Sequence, residues 1–258
     1  NVAARFLNYA LTFLHVYLFQ SAEYGDVSLF YANAALLSII FTYGMETTYF
    51  RFVQDEKEKN SVYSTGFISL SITTVILSGL LIWFRQPLAD LMKIGRHPEW
   101  ITWLALILAA DALASLPFAV LRQQNRPRKY ATIKVVNILL TIGLQVFFFW
   151  IYPKWTGKAV DIGFVFLSNL IASAVTFLLL GKELLSLRFR FDTLLWKKMM
   201  IYALPLIVVG FGGMINEMLS RLVYRKVLDL PAAVEEKELG IFGANYKLAV
   251  LITIFIQV

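Results

Sequence analysis

The chain has no cysteine, which excludes disulfides and thiol chemistry and leaves its compartment open. It has two histidines. His97 sits in the loop segment Gly95-Arg96-His97-Pro98 and only His15 falls in an apolar stretch, so histidine and cysteine together supply no metal site. There is no GxxxxGK[ST] phosphate loop, no separate soluble domain, no low-complexity linker and no short-period repeat. Charge is scarce as well: 16% of the 258 residues, against 59% hydrophobic residues and a mean hydropathy of +0.66. A soluble core of this length has no use for that much apolar side chain.

What the chain does have is runs of membrane length. Stretches of about 20 apolar residues bounded by charge or turn clusters fall near Val2 to Phe19, Val27 to Phe50, Tyr63 to Phe84, Trp100 to Val120, Ile133 to Ile151, Ile162 to Leu180, Met199 to Val223 and Leu239 to Val258. Backbone polar groups cannot stay unpaired in hydrocarbon, and these runs lack the alternation of a barrel strand, so they read as helices. The fold class is all-α, a polytopic transmembrane helical bundle of about eight helices. Asn1 is not an initiator methionine and Val258 stops inside an apolar run, which reads as a piece of a longer chain.

Ala22-Glu23-Tyr24-Gly25 ends the first span and Lys237-Glu238-Leu239-Gly240 the seventh, 215 residues later, each followed by a new apolar helix. Two helical lobes related by an axis along the membrane normal would produce such a match. The expected organisation is a first six-helix lobe at 1–181, a cytoplasmic linker at 182–198 and the first two helices of a second lobe at 199–258. Lys and Arg set the orientation: the links after spans two, four and six hold 13 basic residues and the opposite set nine. This places the N-terminus and the RQQNRPRKY link in the cytoplasm. The net charge of +7 is then mostly topology. Basic residues beside spans, not on one soluble face, argue against a nucleic-acid partner.

Polar residues recur at helical spacing inside these runs. Arg5, Asn8, Thr12 and His15 fall within roughly an 80° arc of one helix face at 100° per residue. Lys134, Asn137, Thr141 and Gln145 form a second stripe, Asn169, Ser173 and Thr176 a third, and Asp111 pairs with Ser115, Asn216 with Ser220 and Glu217 with Arg221. Polar stripes on membrane-length helices line something wet. Charges within spans cost about 2.5–3.5 kcal/mol each on insertion scales, so they face a partner or a water-filled cavity.

Arg5, Glu46, Asp111, Glu217, Arg221 and Lys247 are such charges. Two readings stay open for them. Glu217 with Arg221, and Glu46 with Arg51 or Arg5, neutralise each other, or they serve transport. Asp111, with no basic residue within four positions, takes its partner from another helix, from a proton or from a cation; an interhelical hydrogen bond to Thr or Asn is the plainer alternative. His15 reads as a packing residue or as a water-facing one. Pro205 with Gly210, Gly212 and Gly213 marks the seventh span as a hinge, or as a helix packed closely through small residues; Pro117 also interrupts a span.

The segments SAEYGDVSLFYANAALLSIIFTYGMETTYFRF, LPFAVLRQQNRPRKYATIKVVNILL, ALPLIVVGFGGMINEMLSR and GIFGANYKLAVLITIFIQ resemble the polysaccharide biosynthesis family of oligosaccharide-lipid flippases. That family is part of the multidrug/oligosaccharidyl-lipid/polysaccharide exporter superfamily. The resemblance spans essentially the whole chain, and TYGMETTYFRF and RQQNRPRKY are its most specific parts. It implies a bundle of twelve or fourteen helices in two lobes around a central cavity, with a lipid-linked (undecaprenyl-pyrophosphate) oligosaccharide moved across the bacterial inner membrane by alternating access. It implies no catalytic residue and no cofactor, and membrane lipids with H+ or Na+ as further partners.

Under this resemblance Arg5, Arg51, Arg221 and Lys247 supply cations for the pyrophosphate, arginine doing so bidentately. Arg51, at the end of its span, alternatively serves only as a topology determinant. Asn8, Asn137, Asn169 and Asn216 meet sugar hydroxyls, and Glu46, Asp111 and Glu217 are the ion-coupling candidates. A cation-coupled multidrug exporter, a membrane-embedded glycan polymerase or glycosyltransferase, and a non-transporting scaffold are the competing classes. The connections, under about 20 residues each, leave little room for an extramembrane catalytic loop.

Overall fold

The computed structural model describes residues 21–55, 59–91, 97–157, 161–187 and 190–228, of which the side chains of 21–26, 28, 29, 55 and 215–228 are left aside. The expected first and eighth spans, Arg5, Asn8, Thr12, His15 and Lys247 lie outside the described residues. The described elements are α1 Ser21–Thr42, α2 Met45–Asp55, α3 Lys59–Trp83, α4 Arg85–Leu91, α5 Glu99–Gln123 and α6 Pro127–Val146. A π-helical turn, Phe147–Ile151, leads from α6 into α7 Tyr152–Thr156; α8 Gly163–Leu179, α9 Gly181–Leu185 and α10 Thr193–Leu228 follow. No strand occurs among the described residues. Four helices, Lys59–Trp83, Glu99–Gln123, Pro127–Thr156 and Thr193–Met214, are long and apolar enough to cross a membrane, and Gly163–Leu179 is a shorter apolar helix. The protein is an all-α helical membrane bundle.

α5 is the central post. Two thirds of its most apolar window (67%) is buried within the protein, against 17% for the α6–α7 and α10 windows, whose apolar faces point outward as lipid-facing helices require. Where α5 begins, Trp100, Ile101, Leu104, Ile107 and Leu108 pack with Phe30 of α1 and with Val165 and Phe166 of α8. The Phe30 and Phe166 rings stack at 3.8 Å and Trp100 meets Phe166 edge-on at 5.0 Å. Toward its other end, Leu116, Ala119 and Val120 pack with Met45 and Tyr49 of α2, Val62 and Leu70 of α3, and Met199 and Ala203 of α10.

The second expected span is broken, where Val27 to Phe50 had read as one helix. Tyr43 and Gly44 both take left-handed φ, +33° and +67°, and α1 ends there. A non-glycine residue pays for that conformation, and Tyr43 is held in it by a 3.0 Å hydrogen bond between its hydroxyl and Ser69 of α3. Gly44 is required twice over, because a Cβ there would also lie 2.6 Å from Leu206 Cβ of α10. Gly44→Ala is therefore expected to lower stability by about 1–3 kcal/mol. Thermal unfolding of the purified protein measures this; Gly143→Ala, in the last turn of α6 with nothing within 4 Å, serves as the control and leaves stability unchanged or slightly raised. Equal losses from the two changes would refute the requirement.

α10 runs unbroken through Pro205, Gly210, Gly212 and Gly213. Gly210 packs closely, since a Cβ would meet Ile39 of α1 at 2.9 Å, whereas Gly212 and Gly213 have nothing within 4 Å. Asp192 caps α10, its carboxylate accepting from the backbone N–H groups of Leu194 and Leu195 at 2.9 and 3.0 Å. The Trp196 indole N–H then donates to Ser69 Oγ at 2.9 Å, so one serine of α3 ties both α10 and the α1–α2 break.

Candidate functional site

The turn between α5 and α6 creates the site's mouth. Asn125 takes left-handed φ of +52°, its N–H bonds the Arg122 carbonyl, and the Arg126 N–H reaches back to Leu121 O at 2.9 Å. This is the Schellman pattern with asparagine in place of glycine. Pro127 then opens α6 at the position where its missing N–H costs nothing. With only three residues between them, α5 and α6 run antiparallel side by side, and Arg122 comes to lie beside Tyr130.

Three helices turn polar stripes toward one another here. On α5, Asp111, Ala114, Ser115, Phe118 and Arg122 share roughly a 100° arc. On α6, Tyr130, Lys134 and Asn137 share roughly 60°, as do Asn169, Ser173 and Thr176 on α8. With Glu46 from the first turn of α2 they line a cavity of about 270 Å³. From Arg122 to Asp111 the lining runs for about 16 Å along α5, roughly half the hydrocarbon thickness. Below Asp111 the space closes on the aromatic and aliphatic packing around Phe30, Ile107, Leu108 and Phe166. Among the described residues the chamber thus has the exposed Arg122 at one end and buried apolar packing beyond Asp111 at the other.

Charges of both signs sit in this lining. The Arg122 guanidinium donates to Glu46 across the mouth, and the same guanidinium lies over the rings of Phe50 and Tyr130, 5.1 and 5.6 Å from their centroids. Deeper in, Lys134 Nζ sits 4.4 Å over the Phe118 ring and is the cation acting on Asp111. Asp111 is surrounded by helices and still accessible, because what it faces is the cavity; Ser173 of α8 lines the same cavity beside it. The Asn137 amide donates to Thr176 Oγ1 at 2.9 Å, joining α6 to α8, and the Asn169 amide to the Tyr31 hydroxyl at 3.4 Å.

Four of the substrate and ion-coupling candidates are brought together, Glu46, Asp111, Asn137 and Asn169, and with them Ser115, Lys134, Ser173 and Thr176 of the polar stripes. Arg51 is not: it is exposed on α2 and does not line the cavity. Asn216, Glu217 and Arg221 lie in the last part of α10, where only the helix is described, and Arg5, Asn8 and Lys247 lie outside the described residues. Glu46, for which the sequence offers Arg51 or Arg5, pairs among the described residues with Arg122 of α5; Arg5 lies outside them. Thr141 and Gln145 are buried and continue the α6 stripe beyond the cavity.

The residues that sequence reasoning missed are Arg122, Lys134 as a cavity cation, Tyr130 and Phe118. Arg122 opens the RQQNRPRKY link and Lys134 follows it, so both read as topology charges, Lys134 also heading the second polar stripe. Their spacing held the missing signal, because Arg122 lies 11 residues from Asp111, three turns along the same face.

Neither the curated proteins nor the solved structures hold a match to this chain. A family model described as polysaccharide biosynthesis protein matches it over residues 1–258, and the chain, a helical membrane protein with a charged cavity among its spans, belongs to that polysaccharide biosynthesis family.

Proposed function

We propose that the chain moves a lipid-linked oligosaccharide, the undecaprenyl-pyrophosphate type of intermediate, across the bacterial inner membrane by alternating access. The observation that carries this reading is a half-open polar chamber in a bundle otherwise as apolar as lipid. An amphiphile with a phosphate-bearing, hydroxyl-rich head and a long apolar tail needs such a chamber for the head, while its tail stays in the bilayer. At about 270 Å³ the described chamber takes a piece of a headgroup, being slightly below the roughly 300–1,000 Å³ of drug-sized sites.

Each part has a chemical use. Arg122 and Lys134 offer charge-assisted donors to phosphoryl oxygens. Asn137 and Asn169, already hydrogen-bonded to Thr176 and Tyr31, have further donor and acceptor capacity for sugar hydroxyls. Glu46 and Asp111 are the described coupling carboxylates, with H+ or Na+ as the coupling ion. The plug of Phe30, Trp100 and Phe166 closes the far side in this state, and the positive-inside bias places the open mouth, with the RQQNRPRKY link, in the cytoplasm. No covalent bond is made or broken in this reaction, so the protein acts as a transporter and not as an enzyme.

Translocation of an undecaprenyl-pyrophosphate-linked glycan by the protein in reconstituted vesicles tests the reading. Wild type is expected to move it and Asp111→Asn to move it more slowly at normal folded yield. Wild-type vesicles that move no glycan would sink the proposal, and export of organic cations by those vesicles would bring the multidrug reading forward.

A further inference from the structure

Among the described residues, the charged groups lining the chamber are two of each sign: Glu46 and Asp111 against Arg122 and Lys134. Each cation already faces a carboxylate, Arg122 through its ion pair with Glu46 and Lys134 through its proximity to Asp111. An anion entering at the mouth therefore meets a cation that is engaged.

Both side chains at the mouth are 40% exposed, and they differ in their other contacts. Arg122 also lies over the Phe50 and Tyr130 rings, contacts that do not involve Glu46. On α2, Met45, Thr48 and Tyr49 are buried and anchor the helix, whereas among the described residues the Glu46 carboxylate bonds only to Arg122. The left-handed break at Tyr43 and Gly44 is what turns this first residue pair of α2 away from the line of α1 and over the mouth. Glu46 can swing aside without disturbing packing; Arg122 stays.

We propose that Glu46 is a displaceable internal counter-ion, a carboxylate that occupies Arg122 until a multiply charged phosphoryl group takes its place. This rests on the transport reading for its biological purpose, though not for its chemistry. A monovalent anion such as chloride gains one contact on Arg122 and loses against a tethered carboxylate of very high local concentration. A phosphoryl group carrying two or more charges engages the guanidinium bidentately and can reach on toward Lys134. Glu46 thus selects multivalent phosphoryl anions over the monovalent anions that fill the surrounding water.

The test measures binding of two probes, inorganic pyrophosphate and farnesyl pyrophosphate, to the full chain in lipid nanodiscs, with chloride as competitor. Glu46→Gln is expected to tighten pyrophosphate binding by up to about fivefold, the worth of an accessible ion pair, and to let chloride compete where it does not in wild type. Glu46→Asp keeps the wild-type pattern. Arg122→Gln weakens binding, and adding Glu46→Gln to it brings no tightening, because the effect runs through Arg122.

Tightening with both probes assigns a site for free phosphoryl groups, and tightening with farnesyl pyrophosphate alone assigns a lipid-borne headgroup; both support the proposal. Unchanged or weaker binding of both probes by a Glu46→Gln protein with wild-type thermal unfolding overturns it, as does tightening that survives in the double variant. If Glu46→Gln fails to tighten binding while wild type still moves glycan, the counter-ion falls and transport stands. Tightening in a protein that moves no glycan gives the reverse.

Discussion

Lys134→Met is expected to slow lipid-linked glycan translocation by at least about tenfold, the effect of losing one charged hydrogen bond of about 1.5–3 kcal/mol in the loaded state. Lys134 is the deeper of the two described cavity cations, held over the Phe118 ring at 4.4 Å and facing Asp111. Lys134→Arg keeps the charge and is expected to retain most of the rate. Asp111→Asn combined with Lys134→Met separates two roles. If the lysine serves only to neutralise Asp111, adding Lys134→Met to Asp111→Asn slows transport no further than Asp111→Asn alone. If it engages the substrate, the double variant is slower than Asp111→Asn by the same factor that Lys134→Met costs the wild type. Initial rates per folded molecule in reconstituted vesicles decide this, and a full rate for Lys134→Met would remove the lysine from the pathway altogether.

The stripes were legible because membrane helices make polarity informative. Asn169, Ser173 and Thr176 have no reason to share an arc in a lipid-facing helix, and in the structure all three line the cavity. Asp111, lacking a local partner, faces Ser173 of α8 and Lys134 of α6 across the cavity. Helix positions followed from run length alone: the runs from Tyr63, Trp100, Ile133 and Ile162 each correspond to a helix within a few residues at one or both ends. What the sequence concealed is where local chemistry is ambiguous. TYGM reads as a continuation of an apolar helix, and only the contact of Gly44 with Leu206 and the Tyr43 bond to Ser69 explain why it breaks. Arg122, at a helix end, carries the same letters whether it anchors topology or guards a mouth. Its role is decided by Glu46, 76 residues away, a tertiary fact that no local pattern contains.

A second basic residue of the same link has a structural task, and its removal is expected to be the most destabilising change outside the cavity. Lys129 Nζ lies 2.7 and 2.6 Å from the two carboxylate oxygens of Glu183 on α9. The two sides differ in exposure, 30% for the lysine and 5% for the glutamate. Lys129→Met strands a buried carboxylate and is expected to cost about 3 kcal/mol, at the low end for a broken buried pair because the lysine end is half-wet. Glu183→Gln leaves the lysine free to reach water along its flexible stem and is expected to cost about 1–2 kcal/mol. Lys129→Met with Glu183→Leu removes the charge problem and recovers much of the loss. Thermal unfolding of the four proteins checks the order, and a larger loss from Glu183→Gln than from Lys129→Met would show that burial is not what sets it. The Tyr63 hydroxyl also bonds the Glu183 carbonyl at 3.0 Å, so this short helix is pinned to α3 as well as α6. Because Lys129 and Glu183 do not line the cavity, the glycan moved per folded molecule is expected to stay near wild type in both single variants, which distinguishes a charge that holds the bundle together from those that serve the chamber.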